Sequence, residues 1–191
     1  MVYNDGVQTV INMASVYAKD TLSLPTSAIM TTFLIVQFVA FGGAYFFGWV
    51  AGRIQARPAV LICLSVYALV AIAAYFLPTG QVLPFFALGA VIGFVQGGAQ
   101  SLSRSLYGSM IPEQASAEFY GFYSVLSKFS AIWGPLMFAM LTDRTGSGRN
   151  AILSLILFFL VGGILLAVVN IEEARASRLR WAFEGAEAKI Y

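Results

Sequence analysis

LPFFALGAVIGFVQGGAQSLSR, residues 83–104, is the segment that decides the fold. It follows the turn LPTGQVLP and carries no charged side chain before Arg104. A helix that crosses the hydrocarbon layer of a bilayer, which is about 30 Å thick, needs about 20 mostly apolar residues. The segment has that length and that composition, so it predicts a transmembrane helix that ends at Arg104.

Four other long runs are equally apolar, and Glu118 and Lys128 are the charged side chains within them. These runs lack the period-two alternation that is typical of β-barrel strands. We therefore expect an all-α integral membrane protein, a helical bundle of five full transmembrane helices plus one truncated N-terminal helix. The predicted spans are residues 3–18, 27–51, 58–77, 83–104, 117–141 and 151–169.

The opening segment, residues 3–18, is shorter than the others. At 1.5 Å per residue it would be about 24 Å long, too short to cross the membrane comfortably. Two interpretations are open: it is a half-helix that begins inside the membrane, or it continues a longer polypeptide whose preceding turns are missing. We favour the second interpretation.

The composition excludes several classes of function. Of the 191 residues, 59% are hydrophobic and 10% are charged, and the mean hydropathy is +0.80. A net charge of +2 gives no indication of nucleic-acid binding. With no histidine and the single cysteine Cys63, the chain has neither a zinc ligand set nor a His-based catalytic triad. HExxH, GxSxG and GxGD motifs are absent too, so we expect neither an enzyme nor a metal or cofactor.

The orientation follows from the positive-inside rule, by which lysine and arginine are enriched in cytoplasmic loops. The larger basic set would be cytoplasmic and comprises Arg53, Arg57, Arg104, Arg175, Arg178, Arg180 and Lys189. The smaller set would face outward and comprises Lys19, Arg144 and Arg149. Residues 1–170 then form the membrane domain, and residues 171–191 form an amphipathic cytoplasmic tail. That tail is either solvated or in contact with the membrane surface.

A glycine stripe marks the segment at residues 83–104. Gly89, Gly93 and Gly97 recur every four residues, a spacing that lets another helix backbone approach closely. Two roles are open: the stripe serves packing alone, or it also lets helices rock during transport.

Polar side chains form two ladders in the predicted spans. Residues four apart share one helix face. One ladder is Gln96, Gln100 and Arg104. The other is Asn4, Gln8 and Asn12, with Asp5 beside it. Because lipid penalises such faces, we expect them to face a water-filled cavity or a protein interior. Contact with a solute and hydrogen bonding between helices both remain open.

Four ionisable residues need an explanation at membrane depth. Lys128 lies about ten residues, or roughly 15 Å, into its span, too deep for easy snorkelling. Asp5 could neutralise it, and such a pair could couple transport to protons. Glu118 opens its helix and either complements the helix dipole or takes part in the coupling. Arg104 is either a boundary anchor or part of the polar pathway.

Four segments carry a resemblance to a known family: YNDGVQTVINMASVYA, GGAQSLSRSLYGSMIP, AEFYGFYSVLSKFSAIWGPLMFAML and DRTGSGRNAILSLILFF. In this order they resemble the second six-helix half of a major facilitator superfamily transporter. The branch is the vacuole-effluxer-like group, which includes autophagy-related vacuolar amino-acid exporters. The resemblance implies that the opening segment is the later part of the seventh helix. It also implies that the first and fourth helices of this half line the central cavity.

The resemblance implies a gating motif in the loop GWVAGRIQAR. Gly48, Arg53 and Arg57 match it, whereas Gly52 replaces the expected aspartate and Gln55 the expected second glycine. The charge relay of such a gate is therefore incomplete here. LTDRTGSGR resembles a degenerate copy of the motif, to which we assign no function.

The expected function is that of the C-terminal half of a secondary transporter for a small polar solute. The resemblance implies amino-acid efflux, and proton coupling is a hypothesis that rests on Asp5, Glu118 and Lys128. Because alternating access needs two halves, the expected partners are an N-terminal six-helix half or a second copy, within the lipid bilayer. The alternative is a non-transporting interaction module or split half-transporter. The expected location is a bacterial inner membrane, or a vacuolar membrane in a eukaryote.

Overall fold

The computed structural model describes the backbone of residues 2–174, and the side chains of these residues apart from positions 2, 114, 130 and 131. This part of the chain forms helices and short turns, with no strand. The helices are α1 (Val2–Val16), α2 (Thr26–Ile54), α3 (Ala56–Tyr75), α4 (Val82–Gly108), α5 (Ser116–Thr145) and α6 (Gly148–Val168). The tail predicted for residues 171–191 lies almost wholly outside the described residues, so its character stays a prediction.

The five helices α2 to α6 are long and apolar enough to cross a membrane. The expected all-α membrane bundle of five full helices and one shorter one is therefore confirmed. Helix α1 has 15 residues, and its backbone continues as a π-helical turn, Tyr17–Thr21. The helical path thus extends slightly beyond the expected end at residue 18.

Short turns reverse the chain between successive helices. Gln55, the single residue between α2 and α3, has a φ of 74°, a left-handed conformation that breaks the helix. Gly146 ends α5 with a φ of 65°, and its N–H donates to the carbonyl of Thr142 at 2.8 Å. We call the end of the bundle at Gln55 the inner end and the end at Gly146 the outer end.

Helices α2 and α4 are in backbone contact along the glycine stripe. Gly93 and Gly97 face the carbonyl oxygens of Val36 and Ala40, where an added Cβ would lie 2.6 Å and 1.8 Å away. One turn towards the outer end, Gly89 faces the methyl group of Thr32. Because the facing residues on α2 are also four apart, the two helices keep one register over two turns.

Hydrogen bonds fasten the outer end of the bundle. The Tyr17 hydroxyl donates to the carbonyl of Ala74 at 2.6 Å. The guanidinium of Arg149 donates to the carbonyls of Tyr75 at 3.1 Å and Leu77 at 2.7 Å. These carbonyls lie at the end of α3, where helical partners run out. The segment LTDRTGSGR, for which the sequence indicates no function, therefore supplies a cap for a neighbouring helix.

Apolar side chains fill the interior and also cover much of the outside. Inside, the rings of Tyr67 and Phe159 stack with their centroids 5.1 Å apart, and they join α3 to α6. Outside, Phe38, Phe41 and Tyr45 of α2 are 80%, 83% and 82% exposed. Aromatic side chains exposed in this way suit contact with lipid, which agrees with a chain embedded in a membrane.

Candidate functional site

A polar recess of about 230 Å³ lies between α1, α4 and α5. It is the candidate site, because polar side chains from three helices of the bundle meet there. Its lining residues are Asn4, Gln8, Gln100, Arg104, Tyr123, Ser124, Ser127 and Lys128. The recess thus brings together members of both predicted ladders and the deep lysine.

Each wall of the recess is a short ladder on one helix. Asn4 and Gln8 are four residues apart on α1, and Gln100 and Arg104 are four apart on α4. Such pairs stand one above the other on the same face of a helix. Helix α5 supplies the third wall, with two adjacent pairs one turn apart, residues 123–124 and 127–128.

The charge in the recess is positive. Arg104 and Lys128 both line it, and both are exposed. No aspartate or glutamate is among the lining residues. Within residues 2–174, neither cation forms an ion pair. The two cations therefore lack a counter-charge from the described part of the chain.

Asp5 lies on a different face of α1 and does not line the recess. It is only 4% exposed. Its Oδ1 accepts a hydrogen bond from the backbone N–H of Gly134 at 3.3 Å. This approach requires glycine at position 134, because any larger residue would carry a Cβ that clashes with Thr9. The suggested Asp5–Lys128 ion pair is absent from the described residues: the carboxylate of Asp5 faces the α5 backbone, and Lys128 faces the recess.

The contact between Asp5 and α5 coincides with a weak point of that helix. Pro135 lies inside α5 and has no backbone N–H. The carbonyl four residues earlier therefore lacks its usual helical donor, and α5 can bend most easily there. A buried carboxylate thus contacts the helix at the residue just before its proline.

Gln96 and Asn12 lie outside the recess lining. Gln96 is 9% exposed and lines a separate, mainly apolar cavity of about 70 Å³ between α1, α2 and α4. Its Oε1 has no hydrogen-bond partner within the described part of the chain. Asn12 is exposed. Four residues of an α-helix span about 400°, so each step of a ladder rotates by about 40° and the outermost members turn away.

The remaining predicted residues lie nearer the inner end. Glu118 is exposed in the first turn of α5, where its charge complements the helix dipole. The guanidinium of Arg53 lies 4.0 Å from the ring centroid of Trp49, a cation–π contact. Arg57 is half-buried in the first turn of α3, and Gly48 lines a shallow groove between α2 and α4. None of these four positions lines the recess.

The hydroxyl-bearing side of the recess was not predicted from the sequence. Tyr123, Ser124 and Ser127 line it together with Lys128. Of these four residues, Lys128 alone was predicted, from its depth in the span. The signal was present, because these residues share a helix face at a spacing of three to four positions. Among the described residues, no group of three or more His, Cys, Asp or Glu side chains is arranged to hold a metal ion.

The chain is similar to one known protein family and to several known proteins. A protein-family model described as "Vacuole effluxer Atg22 like" matches residues 1–178. An uncharacterized MFS-type transporter, YxiO of Bacillus subtilis, is 35% identical over 167 residues, which cover 87% of this chain and 38% of that protein. Autophagy-related protein 22-1 of Neosartorya fischeri is 29% identical over 197 residues, which cover 96% of this chain and 32% of that protein. No solved structure matches.

Proposed function

The chain belongs to the vacuole effluxer Atg22-like family, and from this premise we propose that it forms one half of a secondary transporter for a small polar solute. The family resemblance recognised in the sequence is confirmed by this membership. The chain spans only about a third of the length of the curated relatives it matches, 38% and 32% for the two described above. The activity, the solute and the partners are therefore proposals about the assembly to which this chain contributes.

The polar recess is the observation that carries this proposal. Within a bundle whose long helices are apolar enough to cross a membrane, polar side chains of α1, α4 and α5 converge on one recess. Polar and ionisable groups at membrane depth are costly unless they face water, protein or a solute, and they commonly mark a transport pathway. The recess is open at the surface of this half, so a second half packed against it would enclose a central cavity.

Proton coupling is proposed to involve Asp5, with Glu118 and Lys128 as further candidates. Asp5 is the one acidic or basic side chain that is buried in the described part of the chain. It contacts α5 next to Pro135, so a change in its charge would act on the helix that carries Lys128. Export of amino acids or related metabolites is a further proposal, supported by the family's description as vacuole effluxers.

The transport proposal is tested by solute flux in liposomes. The chain is assembled with an N-terminal half, and uptake of a panel of amino acids and organic acids is measured with and without a pH gradient. Gln100→Leu should reduce the flux several-fold to about tenfold, because it removes a hydrogen-bonding group from the recess, which is worth about 0.5–1.5 kcal/mol. Thr31→Val is the matched control, since Thr31 is exposed on α2 and donates to Ser27 within its own helix. Equal flux in both variants would contradict the proposal.

Coupling is tested in the same liposomes. Asp5→Asn and Lys128→Gln should abolish or weaken the dependence of flux on the pH gradient, while exchange of solute at equal pH continues. Full pH-driven flux in both variants would remove these residues from the coupling proposal. The predicted orientation, with the inner end cytoplasmic, is tested by protease accessibility of a tag placed after residue 191.

A membrane interaction module without transport activity is the second candidate. A shallow groove of about 360 Å³ near the inner end favours it, because mostly small side chains, chiefly of α2 and α4, line the groove, and small side chains let another helix approach closely. Native mass measurement of the purified chain, combined with the flux assay, separates the interaction module from the transporter. A stable complex with no flux of any solute would favour the interaction module, whereas flux by the assembled halves would favour the transporter.

A further inference from the structure

We infer that the recess binds an anionic group of the solute, such as a carboxylate, phosphate or sulfonate, between Arg104 and Lys128. This inference rests on the proposed function, because it takes the recess as the solute pathway. It adds the chemical class of the ligand, which neither the family description nor the relatives' names supply.

The sign of the charge in the recess favours an anion. Arg104 comes from α4 and Lys128 from α5, so the cations reach the recess from two different helices. The eight lining residues include no carboxylate. Two like charges that line one recess repel each other. An anion bound between them would offset this repulsion, whereas a cationic solute would add a third like charge.

The nearby acid Asp5 lies outside the recess. Asp5 is adjacent in sequence to Asn4, which lines the recess, and it could have supplied the counter-charge. Instead its side chain is buried and accepts a hydrogen bond from Gly134 on another side of α1. Glu118, in the first turn of α5, also lies outside the lining. The acids closest in sequence to these walls do not line the recess, so its net charge is positive.

The recess also supplies hydrogen-bond donors. Asn4, Gln8 and Gln100 each carry an amide NH₂ group, and Tyr123 carries a hydroxyl group. An anion accepts several hydrogen bonds at once, and those from charged donors are the strongest. Arginine and lysine surrounded by neutral donors form a set that suits the oxygens of a carboxylate, phosphate or sulfonate.

The test measures the electrostatic potential in the recess through the labelling rates of an introduced thiol. On a Cys63→Ser background, which removes the single native cysteine, Gln100→Cys places a thiol in the lining. The 191-residue chain in lipid nanodiscs then reacts with two methanethiosulfonates of similar size, one bearing a sulfonate and one a trimethylammonium group. The rate ratio is compared with that of free 2-mercaptoethanol. Both reagents need the same thiolate, so its pKa cancels from the ratio.

A positive recess should raise the anionic-to-cationic rate ratio at least about tenfold above that of the free thiol. Lys128→Gln and Arg104→Gln should each lower the ratio several-fold. Both replacements keep a polar side chain, and an unfolding midpoint equal to that of the parent chain shows that the bundle still forms. A ratio equal to that of the free thiol would overturn the inference, whether or not the assembled halves transport a solute.

A second measurement identifies the anionic group. Acetate, phosphate and methanesulfonate are each added before labelling, with chloride at the same ionic strength as the reference. The anion that slows labelling of the introduced thiol more than chloride does identifies the preferred group. Protection by none of the three would show a field without a binding site and would also overturn the inference. Repeating the assay with an N-terminal half present shows whether acidic residues of that half occupy the recess, which would count against an anionic solute.

Discussion

Replacing Gly97 by alanine should push α2 and α4 apart. The added Cβ would lie 1.8 Å from the carbonyl oxygen of Ala40, whereas real Cβ contacts are essentially never closer than 3.0 Å. The two backbones would therefore have to separate by about 1.2 Å at this point. Since the clash is with backbone, no side-chain rotation can relieve it. Overpacking of this kind costs about 1–3 kcal/mol.

The assay is unfolding of the purified chain in mixed micelles, with Gly42→Ala as the control. Gly42 lies on α2, and a Cβ there meets nothing within 4 Å. Neighbouring Gly43 is the positive control, because its Cβ would lie 1.9 Å from the carbonyl oxygen of Phe94. We expect Gly97→Ala and Gly43→Ala to destabilise the chain by about 1–3 kcal/mol and Gly42→Ala to change its stability little.

Gly89 supplies a more specific version of the same test. A Cβ on Gly89 would lie 2.4 Å from the Thr32 methyl carbon, a side-chain atom that can be removed. Thr32→Ser deletes that methyl group and keeps the hydroxyl that donates to Ala28. Thr32→Ser should therefore rescue Gly89→Ala, with a coupling energy of about 1 kcal/mol. If Gly97→Ala were as stable as Gly42→Ala, and if the Gly89 pair were additive, the reasoning about this interface would be refuted.

Three further predictions concern single side chains, each checked by the same unfolding measurement. Arg149→Gln should cost about 1–3 kcal/mol because it removes the cap on the end of α3, whereas Arg144→Gln, at an exposed position, should cost little; equal effects would contradict the cap. Gln96→Leu should stabilise the chain by about 1 kcal/mol, since the Gln96 carbonyl oxygen is buried without a partner among the described residues. A loss of stability would contradict this and would show that the Gln96 amide is hydrogen-bonded in the folded protein. Asp5→Asn should be more stable than Asp5→Ala by about 1 kcal/mol, because the amide oxygen can still accept from the N–H of Gly134; equal stability would mean that this hydrogen bond contributes nothing.

The helices could be predicted from the sequence because each is a long apolar run between turn residues. The observed helices differ from the predicted spans at their ends. The span expected at residues 58–77 is Ala56–Tyr75 in the structure, because the left-handed Gln55 starts the helix earlier. The end of that helix is also set by a contact that no local pattern shows, the side chain of Arg149 from a distant part of the chain.

The site could be predicted only in part. Spacing alone identified Asn4, Gln8, Gln100 and Arg104, because a four-residue repeat keeps neighbouring side chains on one helix face. It could not show that Gln96 turns towards a separate cavity. That orientation depends on how α4 is rotated, which the glycine contacts with α2 determine. Which helices pack together depends on the tertiary structure. The hydrogen bond between Asp5 on α1 and Gly134 on α5 therefore could not be predicted from the sequence either.

The proposed transport pathway requires that water reaches the recess lined by polar side chains of α1, α4 and α5. Spin labels at Gln8, Gln100 and Ser124 test it, with a label at Phe41 as the reference for lipid, since Phe41 is 83% exposed. Collision rates are measured in lipid nanodiscs with oxygen, which concentrates in lipid, and with a water-soluble nickel complex. We predict that nickel collisions dominate at the three recess positions and oxygen collisions at Phe41. Oxygen-dominated collisions at all four positions would contradict the account.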